Sequence, residues 1–179
     1  KENYEKYILG VSSQSKHKNF DMLIKSFNKI KDKDLKLYII GEKNRNLNNI
    51  LTKEHKLNSD VIFTGRVSDQ ELAELYSNAV CFVFPSLYEG FGIPPLEAMA
   101  CGCPIAVSNV ASLPEVCRDA ALYFDPLDME DIAAKILKVV QNNDMKKTLI
   151  RKGFNQVKKY SWEKSANKLV INMKKLYKN

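Results

Sequence analysis

Two carboxylates, Glu89 and Glu97, stand eight residues apart and bracket the run Gly90-Phe91-Gly92-Ile93-Pro94. Glycines at alternate positions let backbone approach a bound group closely, and a proline just behind them marks a helix start, whose free N–H groups and positive dipole end favour an anion. A phosphate fits such a loop, although a glycine pair ahead of a helix also serves simply to reverse the chain. Glu97 has two readings: a carboxylate in the first helical turn that complements the dipole, or an acceptor for two ribose hydroxyls. Lys18, ahead of another helix, is a compact cation suited to a diphosphate, and otherwise a solvated surface lysine. Arg66, just after Gly65, is a second candidate cation.

These residues need a scaffold that brings them together, and the hydropathy pattern supplies one. Short apolar, β-rich runs at 7–11, 35–41, 61–65, 80–85, 104–108 and 121–124 alternate with helical patterns at 20–30, 47–56, 70–78, 94–100 and 113–117. Strands apolar throughout and separated by helices predict an α/β fold, a Rossmann-like doubly wound sheet of about six parallel strands covered on both faces. After Asp128 the pattern is helical only, at 129–141, 145–159 and 162–178. The usual strand order 3-2-1-4-5-6 puts ligands beyond the carboxyl ends of strands 1 and 4, where the winding reverses. Strand 1 leads into Ser12 to Asn19, which contains Ser13 and Lys18; strand 4 leads into Ser86 to Glu97. Gly65 and Arg66 end strand 3, farther from that point. Asp32-Lys33-Asp34 has the look of a metal-nucleotide DxD, but it precedes strand 2 and so belongs to the opposite end of the sheet. Neither a GxxxxGK phosphate loop nor a GxSxG elbow occurs.

The run from Phe84 to Pro104, with Glu89 and Glu97 as its carboxylates, resembles the E-x7-E signature of the family 4 (group 1) retaining glycosyltransferases. Lys18-Asn19 resembles that family's phosphate-binding lysine, Val61 to Gly65 with Val67-Ser68 its nucleotide-base loop, and Ser112 to Val116 its segment after strand 5. The resemblance covers nearly the whole chain and implies one half of a GT-B enzyme: residues 1–179 as the C-terminal, nucleotide-sugar-binding domain, with the N-terminal acceptor domain absent from this chain. It further implies Glu97 on the ribose hydroxyls, Glu89 as the catalytic carboxylate at the transferred sugar, and Lys18 on the diphosphate. By the same resemblance, backbone N–H groups around Phe91, Gly92 and Ile93 would complete the anion site, and Ser13, Gly65, Arg66, Ser86 and Gly90 would be further substrate-binding residues. The donor would be a UDP-, GDP- or ADP-sugar, with no cofactor and no metal. The pattern departs once: Ser12-Ser13 stands where many relatives carry arginine. The competing readings are a GT-B epimerase acting on a nucleotide sugar, which needs its own acid and base, and a non-catalytic nucleotide-binding or interaction module.

Composition narrows the field. In 179 residues, 45% hydrophobic and 27% charged, one folded domain is expected, and disorder, collagen and coiled coil are excluded as overall descriptions. The longest apolar runs, such as 79–85, are far short of the ~20 residues a membrane span needs, and residues 1–11 carry no signal-peptide pattern. The net charge of +7 is uneven: residues 141–179 carry 11 lysines and arginines against Asp144 and Glu163, and the rest carries 17 against 19 acids. Nucleic acid is not an expected partner, since the lysines recur on patterned helices. A cytoplasmic protein is expected, with the basic helices available for peripheral contact with an anionic membrane at its inner face. Cys81, Cys101, Cys103 and Cys117 make no CxxC pair, and neither His17 nor His55 lies near them in sequence, which argues for reduced thiols and against a zinc site. In the last helix Trp162, Ala166, Leu169, Val170, Met173 and Leu176 follow 3-and-4 spacing. They define an apolar face, expected to be buried in part and otherwise exposed or packed on a neighbour.

Overall fold

The computed structural model describes residues 5–11, 15–41 and 59–177. Six strands form one sheet: β1 (Lys6–Val11), β2 (Leu35–Ile40), β3 (Val61–Gly65), β4 (Cys81–Phe84), β5 (Ile105–Ser108) and β6 (Ala121–Phe124). Their order is β3-β2-β1-β4-β5-β6 and every pairing is parallel, as the sequence reading expects. Around them lie a 3-10 turn (Lys16–Lys18) and helices α1 (Phe20–Asn28), α2 (Asp69–Asn78), α3 (Ile93–Ala100), α4 (Leu113–Cys117), α5 (Met129–Gln141), α6 (Asn143–Val157) and α7 (Trp162–Leu176).

Side chains alternate between faces along a strand, so apolar strands feed two cores. Ile8, Leu37, Ile39, Cys81 and Val83 meet Phe20, Leu23, Ile24 and Phe27 of α1 and Ile132, Ile136 and Val139 of α5. On the other face Leu9, Phe82, Phe84, Ile105 and Val107 meet Tyr76 of α2, Ala98 and Met99 of α3, and Leu113 and Val116 of α4. The i, i+3, i+4, i+7 spacing of the α1 residues makes that helix one-sided. Gly10 sets how close it comes: a Cβ there would lie 2.6 Å from the Phe20 ring. α2 opens on a reciprocal cap between Ser68 and Glu71, and α5 on Asp128, which accepts from the N–H groups of Glu130 and Asp131.

Several element bounds shift by a residue or two, and the burial expected of the last helix is not met. The second strand ends at Ile40 rather than 41, because Gly41 turns to donate its N–H to Gly65 O at 2.9 Å. The last helix forms over Trp162–Leu176, but none of its residues is buried, and Trp162 is 83% exposed. Spacing defines an apolar face without supplying anything to cover it. The expected helix at 47–56 and the candidate residue Ser13 lie outside the described residues. Asp32 pairs with Lys6 at the amino end of β1, 2.7 Å away, so the DxD look-alike is an ion-paired loop remote from the crevice. Cys101 and Cys103 flank Gly102 (φ 73°) at a helix-to-strand turn, and all four cysteines are unbridged. Among the described residues no helix is long and apolar enough to cross a membrane.

Candidate functional site

The site begins where β1 and β4 run side by side at the reversal of winding. The 3-10 turn is closed by N–H bonds from Lys18 to Ser15 O (3.0 Å) and from Asn19 to Lys16 O (3.1 Å). It ends at Asn19 in the left-handed region (φ 58°). Across the crevice, Leu87 donates its N–H to His17 O at 2.7 Å, joining the turn to the loop after β4. The Lys18 Nζ then lies 2.6 Å from Glu89 Oε1 and 5.1 Å from the centroid of the Phe84 ring. Both side chains of the ion pair are largely buried, 16% and 12% exposed. A pair this far out of water is costly to break by removing one partner, since the other is left uncompensated. Residue types and spacing assign cation and carboxylate separate duties; the fold pairs them.

The glycine loop is held from behind. Ser112 Oγ lies 3.0 Å from both Glu89 O and Phe91 O, so one hydroxyl proton is shared between two carbonyls. Gly92 has φ 99°, and a Cβ there would lie 2.8 Å from Leu113 Cδ2. Gly90 faces open space: apart from its chain neighbours, no described residue has a heavy atom within 4 Å of where its Cβ would be. Backbone can therefore meet a ligand at Gly90, whereas Gly92 is fixed by the protein. α3 starts at Ile93 and carries Pro94 and Pro95 next, which have no N–H. Two of the usual helix-end donors are thus missing. Phe91 and Ile93 are 44% and 46% exposed, and the Phe91 ring meets Tyr160 edge to face at 5.6 Å.

Glu97 falls one position beyond the first turn of α3, because the helix begins at Ile93 rather than at Pro94, and it does not cap the dipole. Its exposed carboxylate accepts a hydrogen bond of 3.3 Å from the hydroxyl of the buried Tyr76. Burial pushes the Tyr76 phenol far above its ordinary range, and the Glu97 charge beside it adds to the shift, so Tyr76 remains a donor. Ser86, the first residue after Pro85, is fully buried, and its hydroxyl has no hydrogen-bond partner among the described residues. Gly65 ends the edge strand β3 and Arg66 follows it, about two strand spacings or ~10 Å from β1. The fold thus brings together Lys18, Ser86, Glu89, Gly90, Phe91, Gly92, Ile93 and Glu97 and sets Gly65 and Arg66 to one side. Asn19, Tyr76 and Ser112 reach the site across 66, 21 and 23 residues of sequence, distances at which no spacing rule points to them.

Residues 1–156 match the family described as "Glycosyl transferases group 1". The chain is 46% identical over 108 residues to the O-antigen chain mannosyltransferase B of Escherichia coli, covering 60% of this chain and 28% of that protein. It is 34% identical over 145 residues to the O-antigen chain mannosyltransferase RfbU of Salmonella typhimurium, covering 80% of this chain and 41% of that protein. Its fold superposes on the sucrose-phosphate synthase of Thermosynechococcus elongatus with a TM-score of 0.84 at 26% identity, over 97% of this chain and 46% of the synthase. The chain spans less than half the length of each of these proteins.

Proposed function

Because the chain belongs to the group 1 glycosyl transferases, we propose that it is the donor half of an enzyme that moves a sugar from a nucleoside-diphosphate sugar to a hydroxyl of a glycan or lipid-linked acceptor, with retention at the anomeric carbon. The names of two relatives favour mannose as that sugar. The observation that carries the reading is the Lys18–Glu89 pair facing the glycine loop at the β1/β4 reversal. Lys18 and the N–H groups of Gly90 to Ile93 take the diphosphate, Glu97 the ribose hydroxyls, and Glu89 the transferred sugar. The leaving group is a nucleoside diphosphate, on which negative charge develops as the glycosidic bond breaks. Fixed donors and a cation aimed at that charge lower the barrier without reorganising at the moment of reaction. In this arrangement the chain's own groups supply the positive end of the field, and no metal is needed. The remaining half of the enzyme supplies the acceptor site. The bare apolar face of α7, with lysines on its other side, is a surface for that half or, peripherally, for an anionic membrane.

Calorimetry of the chain with GDP, UDP and ADP tests the donor site. One of the three binds, and Lys18→Ala weakens it by about 1.5 to 3 kcal/mol, the range for a hydrogen bond to a charged group, in a chain that still folds but is less stable because Glu89 loses its counter-charge. Equal affinity for variant and parent returns Lys18 to the role of a surface lysine.

A further inference from the structure

We propose that Asn19 is the positioning residue of the donor site, holding the Lys18 ammonium in place by tying together the chain segments at the carboxyl ends of β1, β4 and β6. This rests on the reading of Lys18 as the diphosphate cation. Asn19 is buried, at 7% exposure, in a polar crevice where an asparagine without partners would be destabilising. Its Nδ2 donates to Pro85 O at 3.1 Å and to Pro126 O at 2.8 Å. Both neighbours are carbonyl oxygens, so it is the amide nitrogen, with its two protons, that must face them. Pro85 directly follows β4 and Pro126 lies two residues beyond β6, so one carboxamide spans two loops that meet nowhere in sequence.

The backbone of the same residue closes the other side. Its N–H ends the 3-10 turn on Lys16 O, and its carbonyl accepts from Leu23 N at 3.3 Å, in the first turn of α1. Asparagine is the side-chain-bearing residue best suited to such a spot, since it tolerates φ 58° and offers two amide protons. Lys18 is therefore flanked by His17, whose carbonyl accepts from Leu87 N, and by Asn19, whose amide reaches Pro85 O. Both flanks are bonded to the loop that carries Glu89. The ammonium keeps only side-chain freedom, so little order remains to be imposed when a diphosphate arrives. A glycine at position 19 keeps the left-handed backbone and loses both amide bonds. An aspartate keeps the shape, loses both donors, and sets a carboxylate against two carbonyls.

The test separates a positioning role from a purely structural one by comparing each nucleoside diphosphate with its own nucleoside. In calorimetry with GDP, UDP and ADP and with guanosine, uridine and adenosine, Asn19→Gly weakens the preferred diphosphate about tenfold, the equivalent of one to two lost hydrogen bonds. It leaves the matching nucleoside unchanged, and it adds nothing in a Lys18→Ala background. An unchanged diphosphate affinity in Asn19→Gly, with Lys18→Ala still weakened, overturns the proposal while the reading of Lys18 stands. An equal loss for nucleoside and diphosphate also overturns it, because the residue then supports the fold as a whole. A Lys18→Ala variant that binds like the parent overturns the reading of Lys18 and the proposal with it. Where Asn19→Gly does not fold, Asn19→Ser, which retains one donor, takes its place with a smaller diphosphate-specific loss expected. Failure of both to fold makes the carboxamide a requirement of the fold and ends the proposal.

Discussion

Replacing Glu89 by glutamine removes the charge 2.6 Å from Lys18 and keeps the length and shape of the side chain. In the structure this carboxylate is the ammonium's partner, so a diphosphate that uses Lys18 must compete for it. At a protein-like effective dielectric of ~20, two unit charges ~4 Å apart attract by about 4 kcal/mol, of which desolvation takes back a part. A charged hydrogen bond is worth about 1.5 to 3 kcal/mol net, and the side chains are only 12 and 16% exposed, so screening by water is weak. Loss of the competitor then tightens nucleoside diphosphate binding by about 1.5 kcal/mol, close to tenfold. The same substitution leaves Lys18 buried without a counter-charge, at a cost of about 2 kcal/mol, which in a chain of this size lowers Tm by roughly 4 to 8 °C. Added diphosphate restores most of that loss by binding the folded form. Calorimetry and thermal melts of Glu89→Gln with GDP, UDP and ADP read both effects, and transfer by the complete enzyme is abolished. Unchanged or weaker diphosphate binding, with an unchanged Tm, would refute the competition argument.

Gly92→Ala puts a Cβ at φ 99°, 2.8 Å from Leu113 Cδ2; a stability loss of about 2 kcal/mol or more in urea titration is expected, and Gly90→Ala, in open space, serves as the mild control. Several buried groups have raised pKa values: burial takes the Tyr7 phenol from 10.0 to about 12 and the Cys81 and Cys117 thiols from 9.0 to about 12, and lifts Tyr76 higher still. The unfolded chain loses these protons first, so stability is full below about pH 9 and falls as pH rises toward 12. Thermal melts from pH 8 to 11 check this, with a shallower fall in Tyr76→Phe and a flat profile as the contrary result. Truncation after Tyr160 removes a helix with no buried residue, so the Tm of the chain changes by less than about 2 °C, the scale of a surface change under ~0.5 kcal/mol; a large drop would mean that α7 packs on the body of the chain.

The sheet was legible because its inner strands are buried on both faces and therefore read as near-continuous apolar runs, CFVF in β4 and IAV before Ser108 in β5, beside proline signals. Strand order followed from the usual winding of such sheets, and with it the crevice that holds Lys18 and the loop from Ser86 to Glu97. What the sequence could not give are contacts between distant segments. Lys18 and Glu89 are 71 residues apart, and Asn19 and Pro126 107 apart; neither pair leaves a local signature. Glu97 was misplaced by a single residue of helix start, enough to take it from the first turn of α3 to the second. For α7 the 3-and-4 spacing located the apolar face correctly, but burial depends on a covering surface that no periodicity describes.

The ion pair also answers a problem that any buried cation for an anionic ligand creates. An ammonium held mostly out of water is destabilising unless something neutralises it. Glu89 does so here, and on the proposed reading it is the group that must afterwards face the sugar. Donor binding is then an exchange of partners, in which the diphosphate takes Lys18 and the carboxylate is released toward the reacting end of the ligand. Such an exchange stays cheap only if the backbone does not move with it. The bonds from Leu87 N to His17 O, from Asn19 Nδ2 to Pro85 O and from Ser112 Oγ to Glu89 O fix the chain on both sides of the pair. Rotation of two side chains is then sufficient, and the charge that balances Lys18 becomes available where the glycosidic bond breaks.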